Sequence, residues 1–234
     1  MFKKLSMMLL LLSLGSAMPA MSAIVHLAGD SVDFYYDDST LFGSANVINN
    51  SIFFLPTNFK AESLNGAGIV STNQTLNISI TAKAGNVIEN ILIQESGDYK
   101  LIGTDASARV NGLLAVTSNT SLNGFFPYRL EQTFDTGLLP DISDTNELWD
   151  TSAGVDLGTE PGWLYDTGIT VTIENLLSAS TLNLGEQAFV EKKFLGVGLI
   201  VNPQPPNVPV PAAAWLFGSG LLSLAGLVRR RSRT

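Results

Sequence analysis

Two identical triplets in the chain have the residue types of an acid catalyst. Asp135-Thr136-Gly137 and Asp166-Thr167-Gly168 lie 31 residues apart. Two aspartates that share one proton form the catalytic pair of aspartic proteases. A single-chain enzyme of that class needs each triplet in its own half-barrel, at a far larger separation. We therefore interpret each triplet as a turn in which the aspartate caps its own backbone before a glycine.

The chain has one histidine, His26, and no cysteine, and these counts exclude several other reactions. A Ser-His-Asp triad would have to use His26, but no Gly-x-Ser-x-Gly segment accompanies it. Zinc hydrolases typically take two or three histidine ligands, and thiolate catalysis requires cysteine. The composition therefore predicts that the protein is not an enzyme and requires no cofactor.

Three pairs of aspartates could contribute oxygen ligands to a structural calcium ion. These pairs are Asp30 with Asp33, Asp37 with Asp38, and Asp141 with Asp144. None of them fits the spacing of an EF-hand loop with its glycine and final glutamate. The alternative, which we favour, is a solvated acidic surface without a bound metal.

Three aromatic residues in a long irregular segment could bind a carbohydrate. Trp149, Trp163 and Tyr165 lie within residues 135–167, which we predict to be a loop with one helical turn, or an insertion. Aromatic rings beside acidic hydrogen-bond acceptors can form a platform for sugar rings. In the alternative interpretation, the two tryptophans close one end of the hydrophobic core.

Strands must position these side chains, because apolar and polar residues alternate with period two through the middle of the chain. The alternation is clearest at residues 76–81 and 168–175, which predicts one buried and one solvated face for each strand. The other predicted strands are 24–28, 31–36, 45–54, 87–94, 98–103, 109–117, 125–134 and 188–201.

Short turn motifs separate the predicted strands, and no segment between the two ends has a convincing helical pattern. The turn motifs are Asn65-Gly66, Gly85-Asn86, Ser96-Gly97-Asp98, Asn111-Gly112 and Asn123-Gly124. Many short strands with such turns are typical of an all-β protein. We therefore predict an antiparallel β-sandwich or jelly-roll-like domain over residues 24–201.

The first 23 residues have the layout of a secretory signal peptide. Lys3 and Lys4 precede an apolar run from Leu5 to Leu14, and small residues follow. We expect export by the general secretion machinery and cleavage by signal peptidase near residues 20–23. The alternative is an N-terminal anchor that is not cleaved.

Acidic residues are concentrated in the region between the two ends. All 21 of them lie between Asp30 and Glu191, whereas six of the 13 basic residues lie in the first and last segments. The middle of the chain therefore has a net charge of about −14. Such a surface repels nucleic acid and anionic lipid, so we expect neither as a partner.

The C-terminal region combines a proline-rich stretch, an apolar stretch and a basic cluster. Residues 202–211 contain five prolines, which favours an extended stalk. Within residues 212–234, the 17 uncharged residues from Ala212 to Val228 would form a helix of about 26 Å, close to the thickness of a membrane core. The arginines that follow are expected to stay on the cytoplasmic side: Arg229, Arg230, Arg231 and Arg233.

This tail resembles the PEP-CTERM sorting signal of Gram-negative bacteria, in the variant named for its VPLPA motif. The motif reads Val208-Pro209-Val210-Pro211-Ala212, and residues 215–222 continue the similarity. The resemblance implies recognition by an exosortase, a membrane protease that would cut near the motif and deliver the body to the cell surface. The commoner PEP-type tails carry glutamate where this chain has Val210. The alternative is a plain single-span anchor that is never cleaved.

Together these features predict an exported protein that is anchored in the inner membrane for a time and then reaches the cell surface or matrix. Because PEP-CTERM proteins often accompany exopolysaccharide and biofilm gene clusters, the resemblance implies a structural or adhesive role there, with exopolysaccharide as a partner. The alternative is a surface module that binds a glycan or calcium. A hydrolase that uses carboxylates is a remote alternative.

Overall fold

The computed structural model describes residues 24–140, 145–159, 163 and 166–203. Segments in which apolar and polar residues alternate form β-strands in it. Within these ranges there are twelve strands. They are β1 (Ile24–Ala28), β2 (Val32–Asp37), β3 (Ala45–Ile48), β4 (Ser51–Phe54), β5 (Lys60–Leu64), β6 (Gly68–Ala82), β7 (Asn86–Ile102), β8 (Ser107–Asn123), β9 (Phe126–Leu138), β10 (Glu147–Asp156), β11 (Gly168–Thr181) and β12 (Gln187–Pro203).

The predicted signal peptide, stalk, sorting motif and sorting helix lie outside the described residues, except that β12 includes the first two residues of the stalk. No helix among the described residues is long and apolar enough to cross a membrane.

The strands form two antiparallel sheets around one hydrophobic core. The first sheet has the order β1-β2-β6-β11-β8-β9, and the second has the order β10-β7-β12-β4-β3, with β5 also paired to β12. Buried residues of both sheets belong to a single core cluster. The protein is therefore all-β, as predicted, and its two sheets are consistent with a β-sandwich.

The predicted alternation decides which side chains enter this core. In β11, Ile169, Val171 and Ile173 are fully buried, whereas Thr170 and Thr172 lie on the opposite face. The inward residues of β6 follow the same rule at its buried end. Burial of these side chains on one face fixes the register, because a shift of one residue would expose the whole set.

The eight strands from β5 to β12 pair in a nested order. The hairpin β8–β9 is innermost, and β7 with β10, β6 with β11, and β5 with β12 enclose it in turn. Successive pairs fall alternately in the first and second sheets. Each sheet therefore contains strands that are distant in the sequence, and its formation depends on long-range contacts.

Two parts of the strand prediction were wrong. Residues 45–54 form a hairpin rather than one strand, because Asn49 adopts a left-handed conformation with φ of 54° between β3 and β4. Residues 147–156 form β10 rather than part of a loop. The alternation in β10 is hard to recognise because its outward residues include Gly154 and its inward residues include Thr151.

Two predicted turns lie inside long strands. Gly97 is in β7 and Gly112 is in β8, so Ser96-Gly97-Asp98 and Asn111-Gly112 are not turns. Gly97 is paired with Trp149 of β10, and a Cβ at Gly97 would lie 2.7 Å from Nε1 of the indole ring. Gly112 is paired in the same way with Phe134 of β9. Both glycines are needed because an aromatic ring from the neighbouring strand covers their backbone.

We expect Gly97→Ala to destabilise the protein by about 1–3 kcal/mol, because the added methyl has no space in the core. A Cβ at this position would lie 1.9 Å from the carbonyl oxygen of Glu191. Gly198→Ala is the matched control, since its nearest contact would be an ordinary 3.6 Å, and it should change stability by less than about 0.5 kcal/mol. Urea unfolding of both variants checks this, and equal effects would contradict it.

Candidate functional site

The outer face of the second sheet contains a groove whose floor is made of glycine. Gly196 and Gly198 point outward from β12, between Gln94 and Leu92 of β7 and Phe53 and Ser51 of β4. Glycine has no side chain, so the neighbouring strands rise above β12 on either side. Strands are about 4.8 Å apart, which places the two walls about 10 Å from each other.

Two phenylalanine rings close one end of this glycine-floored groove. The rings of Phe53 and Phe194 are stacked, with 6.4 Å between their centroids and 25° between their planes. The ring of Phe194 also lies over Gly196, because a Cβ there would be 2.9 Å from Cζ of the ring. The groove has a volume of about 530 Å³, and Ile48 and Asn49 line its other end.

The chemistry of the groove is apolar and uncharged. None of the residues that line it carries a charge. Its polar groups are the amides of Gln94 and Asn49 and the hydroxyl of Ser51. Such a surface can stack against an apolar ring and offer hydrogen bonds at its edges, and it has no group that would bind an anion or a metal.

A second unusual feature lies on the inner side of the same sheet. Glu95 of β7 and Lys192 of β12 are both fully buried and form an ion pair. Asn175 of β11, in the first sheet, completes the cluster: its amide nitrogen donates to Oε1 of Glu95 at 3.0 Å, and its Oδ1 accepts from Nζ of Lys192. These three side chains form the buried triad, which connects the two sheets.

Aromatic rings surround the ammonium group of the buried triad. Nζ of Lys192 lies 5.6 Å from the centroid of Phe42 and 5.7 Å from those of Phe59 and Trp149. Burial lowers the pKa of Lys192 to about 8, although the nearby Glu95 carboxylate opposes this shift. The site therefore excludes water and holds a lysine that loses its proton more easily than usual.

The alternation of inward and outward residues along a strand explains why Glu95 and Asn175 point into the core. Glu95 follows Ile91 and Ile93 on the inward face of β7, and Asn175 follows Ile173 on the inward face of β11. In β12, the register with β7 shifts between Lys192 and Phe194, which is a β-bulge. Alternation alone thus predicts inward glutamate and asparagine, but it does not reveal that they meet a lysine.

Two of the three residues proposed for sugar binding, Trp149 and Trp163, are buried. Trp149 is 3 % exposed and Trp163 is 1 % exposed, so both belong to the core. The indole nitrogen of Trp149 donates to the carbonyl of Glu191 at 3.1 Å. A buried ring has no free face for a sugar, which matches the alternative that tryptophans close the core. Tyr165 lies outside the described residues.

Both triplet aspartates cap their own backbone as expected, but Asp135-Thr136-Gly137 is an irregularity within β9, with Gly137 at φ of 68°, and not a turn between strands. Oδ1 of Asp135 accepts from the N–H of Gly137 at 2.8 Å, and Oδ1 of Asp166 accepts from the N–H of Gly168 at 3.0 Å. Asp135 lies opposite Asn111 of β8, whereas Asp166 bonds to residues seven to nine positions further along that strand. The two carboxylates are therefore roughly 25 Å apart and do not form a pair.

The two triplet aspartates have different environments. Asp135 is on the surface, where hydrogen bonds from Arg109 and from the N–H of Gly137 lower its pKa to about 2. Its contribution to stability is therefore present above its ordinary pKa of 3.8 and is lost as the pH falls through about 2. Asp166 is buried and accepts hydrogen bonds from the hydroxyls of Ser118 and Thr120.

His26 contacts an acidic side chain and an aromatic ring in the described structure. Nε2 of His26 lies 3.1 Å from Oδ1 of Asp33, and its ring stacks on Tyr35 at 4.7 Å between centroids. In the described part of the chain, no three histidine, aspartate or glutamate side chains come together as a metal site. Asp141 and Asp144 lie outside the described residues.

Comparison with known proteins identifies no family for this chain. No protein-family model matches it, and no curated protein is significantly similar to it. Among solved structures, it is similar to that of infectious bursal disease virus Gx strain, with 12 % identity and a TM-score of 0.35, over 75 % of this chain and 39 % of that one.

Two further solved structures are more distant in shape. That of infectious bursal disease virus Gt strain has 12 % identity and a TM-score of 0.25, over 82 % of this chain and 57 % of that one. The enzymatically active domain of tailspike protein 4 of bacteriophage CBA120 has 10 % identity and a TM-score of 0.18, over 77 % of this chain and 20 % of that one. This chain spans less than two thirds of each, and scores this low carry no argument about function.

We expect the two triplet aspartates to differ in their effect on stability. Asp166→Ala should cost about 1–3 kcal/mol, because it leaves buried donors of Ser118 and Gly168 without an acceptor. Asp135→Ala should cost less than about 1 kcal/mol, because its ion pair with Arg109 is exposed to solvent. Urea unfolding at neutral pH measures both, and a cost for Asp135→Ala as large as that for Asp166→Ala would contradict the assignment.

Proposed function

We propose that the protein is an exported, exosortase-processed protein of the cell surface or extracellular matrix, with a structural or adhesive role and no enzymatic activity. The tail motif and the signal-like N-terminus support export and sorting. The nested pairing of β5 to β12 supports a jelly-roll-like sandwich as the folded body. These eight strands divide into four in each of the two larger sheets, and eight strands in two such sets are the jelly-roll arrangement. That fold is compatible with many functions, so the function of the body must be inferred from the residues on its surface.

The body adheres, in this proposal, by binding a neutral glycan chain in the glycine-floored groove. The observation that carries it is the uncharged groove itself, with the stacked rings of Phe53 and Phe194 at one end and amide groups on its walls. Sugar rings have apolar faces and hydroxyl edges, and they match this combination of aromatic and amide groups. The separation of about 10 Å between the walls accommodates one extended chain.

Charge favours a neutral glycan over an acidic one. The groove offers no cation to a carboxylate or sulfate group. The region between the two ends of the chain has a net charge of about −14, which repels polyanions at low ionic strength. We therefore expect neutral polysaccharides to bind and acidic ones of the same length to bind weakly.

Filling the groove should weaken binding without disturbing the fold. Gly198→Val adds a β-branched side chain that suits a strand and occupies the floor, because a Cβ there meets only ordinary contacts. We expect its affinity for a neutral polysaccharide to fall at least about tenfold. Phe53→Ala should reduce the affinity about threefold to tenfold, because it removes a stacking face.

The matched control for these variants is Ser79→Val on the outer face of the first sheet. It adds a similar side chain at a strand position remote from the groove, so affinity should not change. Binding is measured by titrating the full chain with a panel of neutral and acidic polysaccharides. Equal losses in Gly198→Val and Ser79→Val, or binding of no member of the panel, would contradict the groove assignment.

The sorting part of the proposal predicts the two ends of the mature protein. Protein recovered from the native host should begin near residues 20–23 and end near the motif at residues 208–212, without the arginine cluster. In a host that lacks the sorting protease, the C-terminus should remain at Thr234. Intact mass measures both ends. If every mature copy from the normal host still carries Thr234, the tail is a permanent anchor.

A further inference from the structure

We propose that Lys192 and Asn175 join in an intramolecular isopeptide bond, which forms within the folded protein with the help of Glu95. The reaction links Nζ of the lysine to Cγ of the asparagine and releases ammonia. It would make the buried triad a self-modification site that ties the last two strands, and thereby the two sheets, together.

The contacts within the triad place each reacting group beside its partner. Nζ of Lys192 touches Oδ1 of Asn175, so the nucleophile lies next to the amide that it would attack. Oε1 of Glu95 accepts from the amide nitrogen of Asn175 at 3.0 Å, and its Oε2 contacts Nζ. One carboxyl group thus reaches both the attacking nitrogen and the leaving nitrogen, which is the position required of a proton carrier.

Rigid elements hold this geometry. The three side chains come from the central parts of β7, β11 and β12, and each is at most 3 % exposed. Three strands that are fixed by their register keep the reacting atoms together, so the reaction behaves as a unimolecular step. An amide and an amine that meet only in free solution have no such advantage.

The water-excluded surroundings favour the reactive protonation states. Phe42, Phe59 and Trp149 surround the Lys192 nitrogen, and burial lowers the pKa of that lysine to about 8. Transfer of one proton from the ammonium to the Glu95 carboxylate converts the ion pair into a neutral amine and a neutral acid. In a medium of low polarity, this neutral pair costs less than two separate charges.

The chemistry balances without any additional reactant. The Nζ lone pair attacks Cγ of Asn175, and the protonated Glu95 lies beside the amide nitrogen, where it can supply the proton that this nitrogen needs in order to leave. Glu95 then transfers a proton from Nζ to the amide nitrogen. The bond from Cγ to Nδ2 breaks, and the nitrogen leaves as ammonia. From the neutral pair, one amine and one primary amide become one secondary amide and ammonia, and Glu95 is still protonated. The ammonia then takes up that proton and leaves as ammonium, which returns Glu95 to the carboxylate of the starting ion pair.

A neighbouring lysine–glutamate contact is less buried than the triad. Lys193, which is half exposed, pairs with Glu191, whose side chain is 10 % exposed. A buried ion pair stabilises a fold poorly, because loss of solvation offsets the attraction between the charges. The asparagine amide hydrogen-bonds both buried charges, and the same position makes it the electrophile that the reaction requires.

Mass spectrometry of the folded wild-type protein tests the proposal directly. The full chain, with its termini determined, should weigh about 17 Da less than its sequence, the mass of one ammonia. A protease that cuts after glutamate separates Asn175 from Lys192, because Glu174, Glu186 and Glu191 divide this region. The peptide that begins at Asn175 should be recovered covalently joined to the peptide that begins at Lys192.

Two variants and one control assign the roles of the residues. Glu95→Gln keeps the shape of the side chain but cannot carry the proton, and Asn175→Ala removes the acceptor, so both should have full mass. Glu191→Gln changes the glutamate next to Lys192 and should still lose ammonia. A folded wild-type protein with full mass and separate peptides overturns the proposal, whatever the variants do. Loss of ammonia in Glu95→Gln would overturn the role of that glutamate.

Discussion

The buried contact between Lys192, Glu95 and Asn175 is the constraint to which the rest of the fold conforms. If one sheet were displaced relative to the other, the hydrogen bonds of Asn175 to Glu95 and Lys192 would break, and buried polar groups in both sheets would be left without partners. Removal of one partner from a buried ion pair typically costs about 3–5 kcal/mol. Hydrophobic contacts alone would tolerate many relative positions of two flat sheets, whereas this contact tolerates one.

Two glycine positions show how the sheets make room for that contact. Gly97 lies beside Lys192 in the second sheet, and Gly112 lies beside Asn175 in the first. On the other side of each glycine, an edge strand contributes an aromatic residue, Trp149 in one sheet and Phe134 in the other. A larger side chain at either glycine would push the ring away. The rings cover the glycine backbone and shield the polar triad from solvent.

The class of fold could be predicted from the sequence, but the meeting of the three triad residues could not. Period-two alternation identifies β6 and β11 because their inward residues are uniformly branched and apolar. It fails at Gly97 and Gly112, since glycine favours turns and also permits close cover by a ring. Glu95, Asn175 and Lys192 are far apart in the chain, and only the register of three strands brings them together. Register depends on long-range pairing, which no local pattern contains.

The bulge in β12 allows one strand to serve both faces of the second sheet. In a regular strand, residues two positions apart share a face, so Phe194 would enter the core beside Lys192. The extra residue Lys193 reverses the alternation, so that Lys192 points inward while Phe194 and the glycines Gly196 and Gly198 point outward. The buried triad and the glycine-floored groove therefore share one irregularity. Loss of the bulge would shift Phe194 and the groove floor towards the core, so the two sites cannot change independently.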